Sequence, residues 1–295
     1  MIVNNLLIPI RVIIGVIMVI NRQRYKSSKK TNIKPIIISI IGLIIICFAI
    51  IWHYSGNTNV GPDNPDPNIN TDDTVYISLP NANKITALVD DYSQPDSIWS
   101  LVSKTASIST DYIPTNLMIA SVETNGAKSD EERSIRSDID QPLSNLFGAA
   151  STAGYDLMIG SGYRSANLQS TYYNGSVAAY GEDVANQSVA KPGQSEHQLG
   201  LAVDVSLTSR ECYIDTCFGD TSAGQWLAAN SYKYGFILRY PSDKVSITGY
   251  QYEPWHFRYV GIDLATALHE SNLTLDEAWT YLQTAEAALK AKGSI

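Results

Sequence analysis

The stretch SEHQLGLAVD at 195–204, followed further along the chain by EPWH at 253–256, decides how this chain folds and what chemistry it can carry. Together the two segments supply two imidazoles and two carboxylates: His197, His256, Asp204 and Glu253. A catalytic zinc site needs three protein ligands and one open position for water, with a carboxylate beside that water to take and return its proton. Four side chains therefore match four roles, provided that the fold brings the two segments together.

The spacing of the residues supports a shared site for His197 and Asp204 but argues against one for Glu253 and His256. A turn at Gly200, followed by a strand over 199–205, would return Asp204 toward His197. Glu253 and His256 are three residues apart, and such residues face opposite sides of a regular strand. Only Pro254 disturbs that regularity. The plain alternatives are histidines bonded to backbone carbonyls and a glutamate in a surface ion pair.

Three ordered motifs carry a resemblance to a known family. SGYRS at 161–165 with Gln169, the 195–204 segment and EPWHFRYVG at 253–261 resemble the VanY-type D-alanyl-D-alanine carboxypeptidases. That family, with its L,D-carboxypeptidase relatives, consists of zinc enzymes that trim the peptide stems of bacterial peptidoglycan. The similarity runs from about residue 111 to residue 279, and three motifs in order are far more specific than any one of them alone.

The resemblance implies a role for each candidate residue. It makes His197, Asp204 and His256 the zinc ligands and Glu253 the catalytic base. The positions that correspond to substrate contacts in relatives are Arg164, Gln169 and Ser195. Arg164 also counts as catalytic, because a guanidinium can stabilise a developing oxyanion as well as bind a terminal carboxylate. The sequence leaves these two roles undivided, and Trp255 is expected either to wall the cleft or to lie in the core.

The implied reaction is removal of the C-terminal D-alanine from peptidoglycan stem peptides, with zinc as cofactor. A D,D-carboxypeptidase acts on pentapeptide stems, and an L,D-carboxypeptidase on tetrapeptide stems is the alternative. A peptidoglycan endopeptidase and a non-catalytic cell-wall-binding module are further alternatives. A serine hydrolase is disfavoured because the chain has no G-x-S-x-G elbow and both motif histidines already have roles.

The N-terminal part predicts a membrane anchor. Residues 36–52 are 17 apolar or neutral residues without a charge, near the roughly 20 that a membrane-spanning helix needs. Residues 21–34 hold six Lys or Arg and no acid, which marks the cytoplasmic side. We therefore expect a cytoplasmic basic segment at 1–34, an uncleaved anchor at 35–54 and a polar linker at 55–73. The catalytic domain at 74–295 is then extracytoplasmic.

A shorter apolar run at 6–20 leaves the topology open. It is interrupted by Pro9 and Arg11, and it is either a second span or, if Met18 starts translation, mostly absent from the protein. Beyond residue 34 the chain has 14 basic and 29 acidic residues, a net charge of −15. Such a domain is not expected to bind nucleic acid, because that binding depends on basic side chains. We expect a monomeric catalytic domain.

Periodicity predicts an α+β fold with a small antiparallel sheet flanked by helices and a zinc site in a cleft on the sheet, preceded by the N-terminal anchor. Helical spacing covers 129–154 and 166–185, and strand-like segments precede or contain each motif. Thr274 and Glu277 form a capping box before a C-terminal helix. Cys212 and Cys217 enclose four residues, and a disulfide is favoured over free thiols or a metal pair.

Overall fold

The computed structural model describes residues 74–295, which belong to one compact unit. The basic segment, the anchor at 35–54 and the linker all lie outside the described residues, so they stay predictions. Among the residues that the structure describes, no helix is both long enough and apolar enough to cross a membrane.

A four-stranded antiparallel sheet lies at the centre of the fold, as the sequence predicted. In chain order its strands are Leu157–Ser161 (β5), Ala202–Leu207 (β6), Phe236–Leu238 (β7) and His256–Tyr259 (β8). In space the order is β5-β6-β8-β7, so the strands of the two long motifs, β6 and β8, are neighbours in the middle. Hydrogen bonding between β6 and β8 therefore brings 195–204 and 253–256 together.

Alternation along these two strands separates the core from a polar face. Val203 and Val205 of β6 and Phe257 of β8 are buried in the main hydrophobic core. Because successive side chains of a strand point to opposite faces, Asp204 and His256 point away from that core. The register of the pair places Asp204 directly opposite His256. The two predicted ligands thus lie side by side on one face of the sheet.

Two small sheets and seven helices surround the central sheet in the described part of the chain. The small sheets pair Tyr76–Ile77 (β1) with Ile85–Thr86 (β2) and Leu117–Ile119 (β3) with Ser134–Arg136 (β4). The helices are Asp140–Thr152 (α1), Ala166–Tyr180 (α2), Glu182–Ser188 (α3), Ser222–Asn230 (α4), Val245–Thr248 (α5), Ile262–Ser271 (α6) and Leu275–Ala291 (α7).

Two hydrophobic clusters hold these elements together. The main cluster packs α1 and α4 against β5, β6 and Phe257. The second cluster packs α6 and α7 against the N-terminal β1–β2 hairpin and Trp99. Helix α7 begins with the predicted capping box, in which the Thr274 side chain accepts from the Glu277 backbone and the Glu277 side chain accepts from the Thr274 backbone. That prediction is confirmed.

Two predicted helices were wrong in their extent. The segment predicted as one helix over 129–154 becomes helical only at Asp140, because Ser134–Arg136 pairs with β3 as a strand. The segment predicted as helical over 166–185 divides into α2 and α3 at Gly181, whose φ of +84° is outside the helical region. In the first segment, strand pairing with β3 prevents the helix that the apolar spacing predicts. In the second, the turn at Gly181 interrupts it.

Gly162 illustrates how closely the surroundings of the site are packed. A Cβ at this position would lie 2.3 Å from the backbone oxygen of Ser134 and 3.1 Å from that of Glu132. The Gly162 backbone N–H also donates to the Glu132 oxygen at 2.6 Å. Only a residue without a side chain fits here, because the obstructing atoms are backbone.

We therefore expect Gly162→Ala to lower the free energy of unfolding by roughly 1–3 kcal/mol, the usual cost of overpacking. The matched control is Gly148→Ala in α1, where a Cβ would meet nothing within 4 Å. That change should be neutral or stabilise by about 0.5–1 kcal/mol, because alanine favours the helix. Urea unfolding of both variants measures the difference, and equal stabilities would contradict the packing argument.

Candidate metal centre

Three elements deliver the three predicted ligands to one point. His197 lies in a short 3-10 turn, Glu196–Leu199, and its own backbone N–H donates to the side chain of the preceding Ser195. The turn ends at Gly200, whose φ of +68° lies in the left-handed region that favours glycine. The chain then enters β6, so Asp204 returns toward His197 as expected. The third residue, His256, begins β8.

The ligand atoms of these residues converge. Nε2 of His197 lies 3.3 Å from Oδ1 of Asp204, and Nδ1 of His256 lies 3.4 Å from the same oxygen. All three atoms lie within 4.8 Å of one another, and all three residues are buried. The two imidazole rings meet edge to face, with centroids 4.9 Å apart.

Each imidazole uses its other nitrogen to contact the protein. Nδ1 of His197 is 2.6 Å from the backbone oxygen of Gly162, and Nε2 of His256 is 3.4 Å from Oε2 of Glu196. Since both partners are acceptors, each outer nitrogen carries the proton. The inner nitrogen of a neutral ring then presents a lone pair toward the centre. This arrangement is typical of metal-binding histidines.

The inner atoms fit a divalent metal ion. Among residues 74–295, Nε2 of His197 and Oδ1 of Asp204 are buried without a hydrogen-bond partner. Nδ1 of His256 faces the same carboxylate oxygen at 3.4 Å, and a divalent cation that takes the place of any proton on this nitrogen would satisfy all three atoms. Two histidines and one carboxylate that line a cleft form a ligand set that suits zinc.

Glu253 lies beside this centre, in the turn that precedes β8. The strand begins only at His256, whose backbone N–H donates to the backbone oxygen of Glu253 at 3.1 Å. The two residues are thus not three apart on a regular strand, and the spacing presents no conflict. Oε2 of Glu253 lies 3.6 Å from Nδ1 of His256, on the side of the ring that faces the centre.

Burial dominates the electrostatics of these groups. It raises the pKa of the Glu253 carboxyl to about 7, with the Asp204 and Glu196 carboxylates adding to the effect. Burial also lowers the pKa of His197 to about 4, so this ring is neutral. For His256, burial opposes the cation, but hydrogen bonds to Asp204 and Glu196 outweigh it and raise the pKa to about 9. A carboxyl group with a pKa near 7 can both accept and release a proton at neutral pH.

The centre opens into a cleft of about 230 Å³ that contains every predicted site residue. Nη1 of Arg164 lies 3.5 Å from Oδ2 of Asp204 and 3.4 Å from Oγ of Ser161, and its side chain is 18% exposed. The pairing of β5 with β6 shifts its register between Ile159 and Ser161, and Ser161 lines this cleft. The structure therefore places a guanidinium at the edge of the metal centre, within reach of a bound molecule.

The remaining predicted residues form the walls. Gln169 is buried and donates from Nε2 to the backbone oxygen of Ala190, whereas its Oε1 has no hydrogen-bond partner among residues 74–295. Ser195 lines the cleft and caps the His197 turn at the same time. Trp255 lines the cleft and is partly buried against the main core.

Several residues of the site escaped the sequence analysis. Tyr240 packs its ring 4.8 Å from the ring of His256, and Tyr250, Tyr172 and Ile214 also line the cleft. Glu196 is the most consequential of them, because it contacts His256. Its position directly before His197 in the motif was a signal, but nothing in the sequence indicates that its side chain reaches the other histidine.

A disulfide joins Cys212 to Cys217, which confirms the favoured prediction. The loop it closes carries Ile214, whose side chain lies against Gly160 of β5 and lines the cleft. Tyr213 donates to the backbone oxygen of Gly160 and so ties the loop to the same strand. The bridged loop is therefore one wall of the cleft.

An α+β fold with two histidines and an aspartate converging beside a partly buried glutamate defines a metallohydrolase-type centre. The family model of VanY, D-alanyl-D-alanine carboxypeptidase, matches residues 132–262, which include all three motifs. YodJ of Bacillus subtilis (strain 168) is 43% identical over 183 residues, which are 62% of this chain and 67% of YodJ. This chain belongs to the VanY D-alanyl-D-alanine carboxypeptidase family.

Two solved structures support the assignment. The LdcB LD-carboxypeptidase superimposes with a TM-score of 0.60 at 42% identity, covering 63% of this chain and 87% of LdcB. The vancomycin resistance D,D-pentapeptidase VanY from a VanB-type cassette, solved with Zn(II), superimposes with a TM-score of 0.51 at 34% identity. That match covers 65% of this chain and 99% of VanY.

Proposed function

We propose that this chain is a zinc-dependent D,D-carboxypeptidase that removes the C-terminal D-alanine from peptidoglycan stem peptides. The observation that carries the proposal is the convergence of three buried ligand atoms, from His197, Asp204 and His256, beside the carboxylate of Glu253. A related D,D-pentapeptidase binds Zn(II), which supports the choice of metal.

In this proposal His197, Asp204 and His256 hold the zinc. When bound, zinc lowers the pKa of water and polarises the carbonyl group of the peptide. Glu253 accepts the proton of the attacking water at its carboxylate, while the water oxygen bonds to the carbonyl carbon. As the C–N bond breaks, Glu253 returns that proton to the amine nitrogen of the leaving D-alanine.

Arg164, Gln169 and Ser195 are proposed to bind the end of the peptide, with Trp255 as a wall. Arg164 brings a positive charge to the edge of the centre, 3.5 Å from Asp204. A guanidinium there suits an anion, either the terminal carboxylate or the oxyanion that develops at the scissile carbonyl. Gln169 offers its unpartnered oxygen to an N–H of the substrate.

An L,D-carboxypeptidase activity on tetrapeptide stems is the second candidate. The structural match to the LdcB LD-carboxypeptidase has the higher TM-score, 0.60 against 0.51 for VanY, and the higher sequence identity. The two activities use the same ligands and base, so they differ only in how the cleft fits the residue that precedes the scissile bond.

We also propose that the chain is anchored in the cell membrane by residues 35–54, with the catalytic domain on the extracytoplasmic side. The uncharged run at 36–52 and the basic flank at 21–34 support this topology. An extracytoplasmic position also suits the Cys212–Cys217 disulfide, because disulfides persist in oxidising compartments.

Substrate release provides the main test of the function. The full-length chain in detergent should release D-alanine from pentapeptide stems faster than from tetrapeptide stems, and a chelator should abolish release until zinc is restored. A pentapeptide with an amidated C-terminus is the control, because a carboxypeptidase that reads the free carboxylate leaves it intact. Faster release from tetrapeptides would favour the L,D-activity, and release from neither stem would overturn the proposal.

Glu253→Gln tests the role of the base. The change removes proton transfer but keeps the shape of the side chain, so kcat should fall by about 10²–10⁴-fold while the zinc content stays at the wild-type level. Glu270→Gln is the matched control, because Glu270 is an exposed carboxylate on α6. A Glu253→Gln enzyme with unchanged kcat would rule out this mechanism.

The anchor can be tested by cell fractionation. The full chain should remain in membranes washed at high pH, and external protease should reach the catalytic domain in intact protoplasts. Deletion of 35–54 should move the protein to the soluble fraction. A full-length chain that is soluble, or protected from external protease, would contradict the topology.

A further inference from the structure

A buried ion cluster lies directly behind the metal centre and has no part in the mechanism above. Glu196 is fully buried, and so are the side chains of Arg239 and Arg258 that contact it. Three ionised side chains without solvent are expensive to bury, and apolar side chains of similar volume often serve stability as well or better. The position of this cluster therefore calls for an explanation other than stability.

The two oxygens of Glu196 have separate partners. Oε1 accepts hydrogen bonds from Nε of Arg239 at 2.8 Å and from Nη1 of Arg258 at 2.9 Å. Oε2 faces Nε2 of His256 at 3.4 Å. Both arginines thus hold one oxygen, and the other oxygen is directed at the histidine.

The far ends of the two arginines are themselves held. Arg258 donates from Nη2 to the backbone oxygens of Ile98 and Ser100, at 3.0 and 2.9 Å. Arg239 donates from Nη1 to Asp276 in the first turn of α7. The guanidinium group of Arg258 is therefore fixed to the segment 98–100, and that of Arg239 is fixed to α7. The Glu196 carboxylate has no freedom to rotate without breaking these bonds.

We infer that Glu196 is a positioning residue for the ligand His256. The inference rests on the proposed function, in which His256 binds zinc. By accepting a hydrogen bond from the Nε2–H group, Glu196 fixes the orientation and the tautomer of the ring, so that the Nδ1 lone pair is directed toward Asp204 and His197. Arg239 and Arg258 hold the carboxylate in place, and Asp276 fixes Arg239 from α7. Such carboxylate–histidine–metal arrangements strengthen the ligand.

Zinc affinity of the full-length protein provides the test. Glu196→Gln should weaken zinc binding by about 10–100-fold in competition with a chromophoric chelator, the range for loss of such a partner. The visible spectrum of the Co(II)-substituted protein should change as well, because His256 is no longer held. Glu286→Gln is the matched control, a buried carboxylate on α7 that pairs with Lys290, and it should leave affinity and spectrum unchanged.

The outcomes separate this inference from the proposed function. A wild-type chain that does not bind zinc would overturn the function itself. A wild-type chain that binds zinc, with Glu196→Gln equal to it in affinity and spectrum, would overturn the positioning role alone.

Asp276→Asn keeps the inference testable if Glu196→Gln does not fold. The Asp276 side chain is 16% exposed and is not among the residues that line the cleft. Loss of its charge should loosen Arg239 and weaken zinc binding by a few fold, about an order of magnitude less than the loss for Glu196→Gln. If Asp276→Asn folds and keeps the wild-type zinc affinity and Co(II) spectrum, the contacts from Asp276 through Arg239 to Glu196 do not position His256, and the inference is overturned.

Discussion

The register between β6 and β8 is the constraint on which the rest of the structure depends. Asp204 and His256 are directly opposite each other in this antiparallel pair, so their side chains share one face. A slip of one residue would move Asp204 or His256 into the hydrophobic core and a valine or phenylalanine onto the polar face. Burial of Val203 and Phe257 therefore holds the metal centre together as well as the core.

The surroundings of the centre extend this constraint to distant parts of the chain. The backbone oxygen of Gly162 accepts a hydrogen bond from His197, and the Glu196 carboxylate accepts one from His256, so each proposed ligand is oriented by a partner on the side away from the metal centre. Arg258 connects Glu196 to the segment 98–100, and Arg239 connects it to α7. Elements that contribute nothing to the cleft can thus influence the geometry inside it, because a shared carboxylate links them to a ligand.

The sequence analysis and the structure agree best where local chemistry is decisive. The turn at Gly200 was predicted because it returns Asp204 toward His197, and the left-handed φ of that glycine does so. The capping box at Thr274 and the Cys212–Cys217 disulfide were also predicted. The helix over 129–154 was partly wrong, because the strand pairing of 134–136 with β3 is a long-range contact that periodicity does not report.

The sequence by itself predicted the ligand set and the candidate base through three ordered motifs that resemble a known family, and it predicted the antiparallel α+β class through the pattern of its apolar residues. Only the tertiary structure decided that Glu253 lies in a turn before β8, which brings it to the same side as His256. It also decided that Glu196 faces His256 rather than its neighbour His197. Both facts follow from how the strand and the turn pack across the sheet. Contacts between segments that are far apart in the chain leave no periodic pattern in the sequence, so the sequence alone does not reveal them.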